Sequence, residues 1–141
     1  MPIQVKRDQS LAMRHIVHIR NHLISVDGSP SEGGADAGPS PHDLYDAALG
    51  ACKALTLVWY AQRKQIPVQD IQVSIERDAS EERAGIYRLA ATITLGGALS
   101  EAQRQELLAV AEKCPLQKLM TSITTEVTTT LQPSDQTAIG A

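Results

Sequence analysis

The sequence predicts an α+β fold, in which antiparallel strands pack around one long apolar helix that carries a cysteine. Two regions, residues 2–26 and 71–95, alternate apolar with polar positions, which is the period of a half-buried strand. Between them, residues 40–63 repeat apolar residues at steps of three and four, which is the period of a helix. Each strand region contains strands joined by a turn, so we expect antiparallel sheets.

Length and charge limit the class of protein. The chain has 141 residues, which predicts a single domain, here residues 1–132, followed by a disordered tail at 133–141. The formal net charge is -3, aromatic residues make up 3%, and Phe is absent, so a surface that stacks or neutralises nucleic acid is not expected.

The composition also predicts a cytoplasmic protein with no membrane partner. No apolar run reaches the roughly 18 residues that span a bilayer, and the first ten residues, MPIQVKRDQS, lack the apolar segment of a signal peptide. Two cysteines in a reducing compartment are more often buried thiols or redox groups than a structural disulfide.

The N-terminal region predicts strands over residues 2–26, with a turn near Arg20-Asn21 and a continuation over Leu23–Val26. Its alternating apolar positions include Leu11, Met13, Val17 and Ile19. Residues 27–40 then hold fourteen consecutive positions rich in turn formers, DGSPSEGGADAGPS. Loops of about this length in compact domains are often functional.

The central helix begins after Ser40, which can cap it, and Pro41 suits its first turn. Its apolar residues are numerous enough to predict burial on most sides, with Cys52 pointing inward. They are Leu44, Ala48, Leu49, Ala51, Leu55, Leu57, Val58 and Trp59. Because residues seven apart lie about 20° from one line on a helix, we expect Tyr45 and Trp59 to share the face of Cys52 and wall its pocket.

The second half of the chain predicts a hairpin, two helices and a final strand. The hairpin comes from alternation over residues 71–76 and 87–95. A capping box at Ser100 and Gln103 opens a helix that ends near Lys113. Cys114-Pro115 starts a short helix, and the threonine-rich alternation from Thr125 to Leu131 predicts the last strand.

Either cysteine could carry chemistry. Cys114 lies at a helix N-terminus, where free N–H groups and the helix dipole favour a thiolate. Cys52 lies about three turns inside its helix and needs a cation from elsewhere. Arg14 or Arg20 could supply it, and Arg20, at a strand turn, is preferred. Core packing is the alternative at each cysteine.

The four histidines do not predict a metal site. His15 and His18 point to opposite faces of one strand, and the spacings Cys-x-x-Cys and His-Glu-x-x-His do not occur. A Cys52-His42 nucleophile and base is also excluded, because ten helical positions separate the two by about 15 Å. We therefore expect no metal and no cofactor.

Two stretches, GPSPHDLYDAALGACKALTL and EKCPLQKLM, resemble the OsmC/Ohr family of hydroperoxide-reducing proteins. The resemblance covers nearly the whole chain. It implies an α+β fold in which two chains form an intertwined homodimer, with active sites at the subunit interface. It also implies that Cys52 is the peroxidatic cysteine, that Cys114 is the resolving one, and that Arg20, or else Arg14, is the catalytic arginine.

The resemblance implies a thiol-dependent peroxidase that reduces small organic hydroperoxides. A Cys52 sulfenic acid would form, a Cys52–Cys114 disulfide would follow, and an external thiol or dithiol would be the reductant. In the organic-hydroperoxide members, a glutamate ten residues before the reactive cysteine fixes the arginine, whereas this chain has His42 at that position. The sequence is therefore closer to the OsmC-like branch.

Two other functions remain open from the sequence. Cys114-Pro115 with Lys118 nearby is similar to the persulfide site of small sulfur-carrier proteins, in which case Cys52 would only pack. Alternatively, the pocket at Cys52 could hold a small apolar ligand without turnover.

Overall fold

The computed structural model, which describes residues 2–133, has two antiparallel sheets and three helices, so the predicted α+β class is confirmed. The first sheet has the order β1 (Gln4–Arg7), β2 (His15–Ile19) and β3 (His22–Val26). The second sheet pairs β4 (Asp70–Asp78) with β5 (Arg88–Gly96). The helices are α1 (Pro41–Lys64), α2 (Glu101–Ala111) and α3 (Pro115–Ser122). Single-turn 3-10 helices occur at Pro30–Glu32 and Glu82–Ala84.

Helix α1 begins where the sequence predicts. The Ser40 hydroxyl accepts the Asp43 N–H at 3.1 Å, and the Asp43 carboxylate accepts the Ser40 N–H at 3.0 Å. This reciprocal pair satisfies two N–H groups that the helix cannot bond internally. The helix ends at Lys64. Gln65 caps it in the left-handed conformation, with φ 55°, and closes the last turn through its N–H.

The inner face of α1 packs on the second sheet and on α2 and α3. Its buried residues are Asp46, Leu49, Gly50, Lys53, Leu57 and Ala61. A Cβ added at Gly50 would lie 3.1 Å from Cγ1 of Ile75, so helix and strand approach closely there. The core continues from Leu57 to Leu107 of α2, and both are completely buried.

The opposite, outer face of α1 is not covered within one chain, so the prediction of burial on most sides is wrong. Leu55 is 70% exposed and Trp59 is 55% exposed. Cys52 is only half-buried, which corrects the expectation that it points inward. The physical reason is that one chain places its second sheet and short helices on a single side of α1, while the first sheet contacts the rest sparsely.

The first sheet is interrupted at residues 8–14, where the alternation predicts a strand. Leu11 and Met13 lie in the connection before β2 rather than in a strand, and the Asp8 carboxylate holds that connection by accepting from Ser10 and Arg14. The turn at Arg20-Asn21 is confirmed, and Arg20 has the left-handed φ of 55°. Positive φ at this position suits the tight two-residue hairpin between β2 and β3.

The second hairpin and both short helices are confirmed, including the capping box at Ser100. The strand predicted from Thr125 to Leu131 is wrong for a single chain, because residues 123–133 are exposed and form no strand. A strand requires a neighbouring edge to bond its N–H and C=O groups, and this segment has none among residues 2–133. The predicted disordered tail lies, from residue 134 onward, outside the described residues.

The loop before α1 is organised around Asp27, which is buried. Its carboxylate accepts the N–H groups of Gly28 at 2.8 Å, Ala35 at 3.1 Å and Ala37 at 3.1 Å. The bond from Ala37 contributes most, and together the three bonds hold the pKa of Asp27 below its ordinary value of 3.8. The loop therefore delivers the chain to Ser40 in a fixed path.

Replacing this carboxylate should lower stability in a pH-dependent way. The pKa of Asp27 is lower in the folded state, so its contribution is complete above about pH 4 and is lost as the pH falls through the folded pKa. We expect Asp27→Asn to unfold at a lower urea concentration than wild type at pH 7. The difference between the two urea midpoints should be smaller at pH 3. Asp36→Asn, at an exposed position of the same loop, is the control. An equal gap at both pH values would contradict this account.

Candidate functional site

Cys52 lies at the middle of α1, half-buried on the outer face. Tyr45 and Trp59 lie seven residues to either side and are exposed, as residues on that face should be. The face of α1 that carries the thiol therefore also carries large apolar side chains that remain exposed in one chain. This surface suits an apolar molecule or a second apolar surface.

Cys114 lies at the start of α3, as predicted, and its residue is completely buried. It is the N-cap residue, with Pro115 as the first helical residue, and its side chain makes no capping hydrogen bond. Its backbone N–H donates to the Ala111 carbonyl at 3.4 Å. Both Cys52 and Cys114 are free thiols.

Lys53 connects the helix of Cys52 to the turn of Cys114. Its Nζ donates to the Ala111 carbonyl oxygen at 2.8 Å and to Oε1 of Gln117 at 2.5 Å. These two acceptors lie on either side of Cys114 in sequence, at the end of α2 and in the first turn of α3. The Cys114 turn is therefore docked on α1 at Lys53, the residue that follows Cys52 in sequence.

The two candidate arginines have different environments. Arg14 is committed within the first sheet, where NH1 lies 2.7 Å from the Asp8 carboxylate and Nε donates to the Ser25 hydroxyl at 2.8 Å. Arg20 is exposed in the β2–β3 turn. Among residues 2–133, neither arginine forms a hydrogen bond with α1.

His42, ten residues before Cys52, pairs with an acid from the hairpin between β4 and β5. Its Nε2 lies 3.1 Å from both carboxylate oxygens of Glu82, and its ring meets the Tyr87 ring edge-on at 5.8 Å. A carboxylate thus reaches this end of α1 from another element. Residues 2–133 contain no group of three or more His, Cys, Asp or Glu side chains arranged to hold a metal.

A charged network centred on the buried Asp46 of α1 was not predicted from the sequence. Arg77 of β4 donates to Asp46 at 2.5 Å and to Asp43 at 2.6 Å, and the Tyr87 hydroxyl donates to Asp46 at 2.7 Å. The pKa of Arg77 is raised, mainly by its bond to Asp43 and next by its bond to Asp46. The pKa of Tyr87 is also raised, mainly by burial and next by its bond to Asp46. The sequence signal was an acid at position 46, in phase with the inner face of α1.

A groove of about 910 Å³ lies between α1, β5, α2 and α3. Lys53 and Arg77 supply positive charge, and Tyr45 forms part of its wall; neither cysteine lines it. The apolar lining residues include Leu49, Leu89, Ile93, Leu108 and Met120. The groove therefore adjoins the outer face of α1 at Tyr45, but Cys52 lies outside it. No helix within residues 2–133 combines the length and apolarity needed to cross a membrane.

Comparison with protein families identifies the family of this chain. Residues 33–130 match the family described as OsmC-like protein. The matched region contains α1, both cysteines and the second sheet. A search of curated proteins gave no match.

Solved structures with the same fold include three from different bacteria. An OsmC-like protein from Mycoplasma pneumoniae is 16% identical, with TM-score 0.70 and coverage of 86% of this chain and 87% of that one. A candidate osmotic-stress-induced and detoxification-response protein from Psychrobacter arcticus 273-4 is 21% identical (TM-score 0.69; coverage 85% and 88%). The organic hydroperoxide resistance protein OhrB of Bacillus subtilis is 18% identical (TM-score 0.57; coverage 86% and 90%).

The network of Asp46, Arg77 and Tyr87 should hold α1 on the second sheet. Arg77→Met removes the cation opposite a buried carboxylate, so we expect a lower urea midpoint than wild type. Arg88→Met is the matched control, because Arg88 pairs with Glu81 on the surface and both are about half-exposed. If the two variants unfold at the same urea concentration, the network does not anchor the helix.

Proposed function

Because the chain belongs to the OsmC-like protein family, we propose that it is a thiol-dependent peroxidase that reduces small organic hydroperoxides. The observation that carries this proposal is a half-buried thiol at Cys52 of α1, together with a second free thiol, Cys114, in a turn that Lys53 of the same helix holds by hydrogen bonds. The fold is shared with proteins named for organic hydroperoxide resistance, such as that of Bacillus subtilis.

In the first step, the Cys52 thiolate attacks the distal oxygen of the hydroperoxide. An S–O bond forms, the O–O bond breaks, and the departing alkoxide takes a proton to leave as an alcohol. The surroundings of Cys52 favour an organic hydroperoxide over hydrogen peroxide, because Tyr45, Leu55 and Trp59 offer apolar contact to an alkyl group. The product on the protein is a Cys52 sulfenic acid.

In the second step, the Cys114 thiol condenses with the sulfenic acid. An S–S bond forms and the sulfenic oxygen leaves as water. The position of Cys114 supports this role, since Lys53 ties its turn to α1. An external thiol or dithiol then reduces the disulfide, with no cofactor, and the reducing cytoplasm would supply it.

The active form is a homodimer whose two chains complete the site. The support is that α1 leaves Leu55 and Trp59 exposed on the face of Cys52. In addition, the first sheet contacts the other helices and strands of its chain sparsely. Residues 123–133 have no strand neighbour among the described residues. Together, these features give each chain apolar surface and backbone groups that a second copy could cover.

The alternative functions differ in how well the structure supports them. Complete burial of Cys114 disfavours a sulfur carrier, since a persulfide must be handed to a partner. A non-catalytic ligand-binding protein is favoured only by the groove between α1, β5, α2 and α3. Steady-state turnover separates that alternative from the peroxidase.

Peroxide consumption with dithiothreitol as reductant tests the proposal. We expect wild type to consume cumene and tert-butyl hydroperoxides faster than hydrogen peroxide, and Cys52→Ser to fall to the background rate. With peroxide in large excess over dithiothreitol, turnover by Cys114→Ser should start and then stop, because its Cys52 sulfenic acid has no intramolecular partner and, unless external thiol intercepts it, is oxidised to sulfinic acid. Wild-type turnover by Cys52→Ser would show that the reaction does not use this thiol.

Arg20 is proposed as the cation that stabilises the Cys52 thiolate in the dimer. A positive charge within a few ångströms favours a thiolate, so Arg20→Ala should slow alkylation of Cys52 by iodoacetamide at pH 7 by about tenfold. Arg83→Ala, at an exposed position of the β4–β5 loop, is the control and should alkylate at the wild-type rate. An unchanged rate in Arg20→Ala, with a slower one in Arg14→Ala, would move the role to Arg14.

A further inference from the structure

Lys53, the residue after Cys52 on α1, is a buried cation. It is 4% exposed, and among residues 2–133 it forms no ion pair with a carboxylate. Its ammonium group is held by two neutral oxygens, the Ala111 carbonyl and the Gln117 side-chain amide. Burying a charge without a countercharge is costly, so a specific role at this position is expected.

The two acceptors of Lys53 bracket Cys114. The Ala111 carbonyl also accepts the N–H of Cys114, so one oxygen holds both the lysine and the backbone of the second cysteine. Gln117 lies in the first turn of α3 and fixes the other side of Cys114. Lys53 therefore binds the turn at 112–114 from both ends, while its sequence neighbour is Cys52.

We propose that Lys53 is a positioning residue that holds the Cys114 turn against α1 and so speeds formation of the Cys52–Cys114 disulfide. The inference rests on the proposed function for its place in turnover. A disulfide forms without backbone movement only if the two Cα atoms lie within about 7 Å, and the cysteines are 114 - 52 = 62 positions apart. Tertiary contacts must therefore supply the alignment, and Lys53 makes the polar ones.

The alignment matters because the Cys52 sulfenic acid has two fates. Condensation with Cys114 is intramolecular, and its rate depends on how often the two sulfurs meet in a reactive geometry. Reaction with a second hydroperoxide gives sulfinic acid and an alcohol, and its rate rises with peroxide concentration. A turn that moves freely would lower the first rate without lowering the second. Lys53 would thus protect the enzyme from irreversible oxidation.

The test compares Lys53→Met with Lys113→Met, which removes the exposed lysine directly before Cys114. After treatment with excess cumene hydroperoxide, peptide mass mapping gives the ratio of Cys52–Cys114 disulfide to Cys52 sulfinic acid. We expect Lys53→Met to lower this ratio about tenfold or more, because misplacement of reacting groups by about 1 Å can have such an effect. Lys113→Met should keep the wild-type ratio.

A second variant covers the case in which Lys53→Met does not fold. Gln117→Leu removes one acceptor and leaves the lysine in place, so it should lower the same ratio, and the double variant should add little further. Thermal unfolding ensures that each comparison is made on folded protein. If a variant is less stable but forms the disulfide at the wild-type rate when folded, Lys53 has only a structural role and the proposal is wrong.

A peroxide-free arm separates this inference from the proposed function. Diamide oxidises the two thiols to a disulfide, and its N=N bond takes up the two electrons and two protons. If wild type and Cys52→Ser consume peroxide equally, the peroxidase proposal fails, but slower diamide-driven disulfide formation in Lys53→Met still supports positioning. Equal rates in wild type and both variants, or no Cys52–Cys114 disulfide in wild type by either route, would overturn the inference.

Discussion

Helix α1 has apolar side chains on two opposite faces, whereas one chain provides packing for only one of them. Leu49 and Leu57 face the second sheet and the short helices, but Leu55 and Trp59 remain exposed. Exposed apolar surface of this kind is typical of an interface. The same constraint applies to the first sheet and to residues 123–133, which also lack full packing within one chain.

The same division of the helix separates the two cysteines. Cys52 belongs to the half-buried outer face, while Cys114 is completely buried where α2 and α3 meet. Lys53 lies between these environments and bonds to the turn of Cys114. In the proposed peroxidase, the hydroperoxide would reach Cys52 at the outer face, and the Cys114 thiol would react with the Cys52 sulfenic acid from the inner side. The hydrogen bond from Arg77 to the buried Asp46 would keep the helix fixed on its sheet.

Local signals in the sequence predicted the elements well, and tertiary relations less well. The caps at Ser40 and Ser100 and the hairpin turn at Arg20-Asn21 were predicted because their chemistry lies within a few residues. The strand over residues 125–131 was not found in one chain, because alternation does not specify which chain supplies the neighbouring edge. The Asp46–Arg77 bond joins positions 31 apart, and no spacing rule reveals it.

Sedimentation equilibrium of the full chain tests whether a second copy covers the outer face of α1. One chain has a mass of 15.2 kDa. The account predicts that at micromolar concentration wild type has twice this mass, and that Leu55→Glu, which places a charge on that face, shifts the protein toward the mass of one chain. A wild-type protein that sediments as a single chain would contradict it.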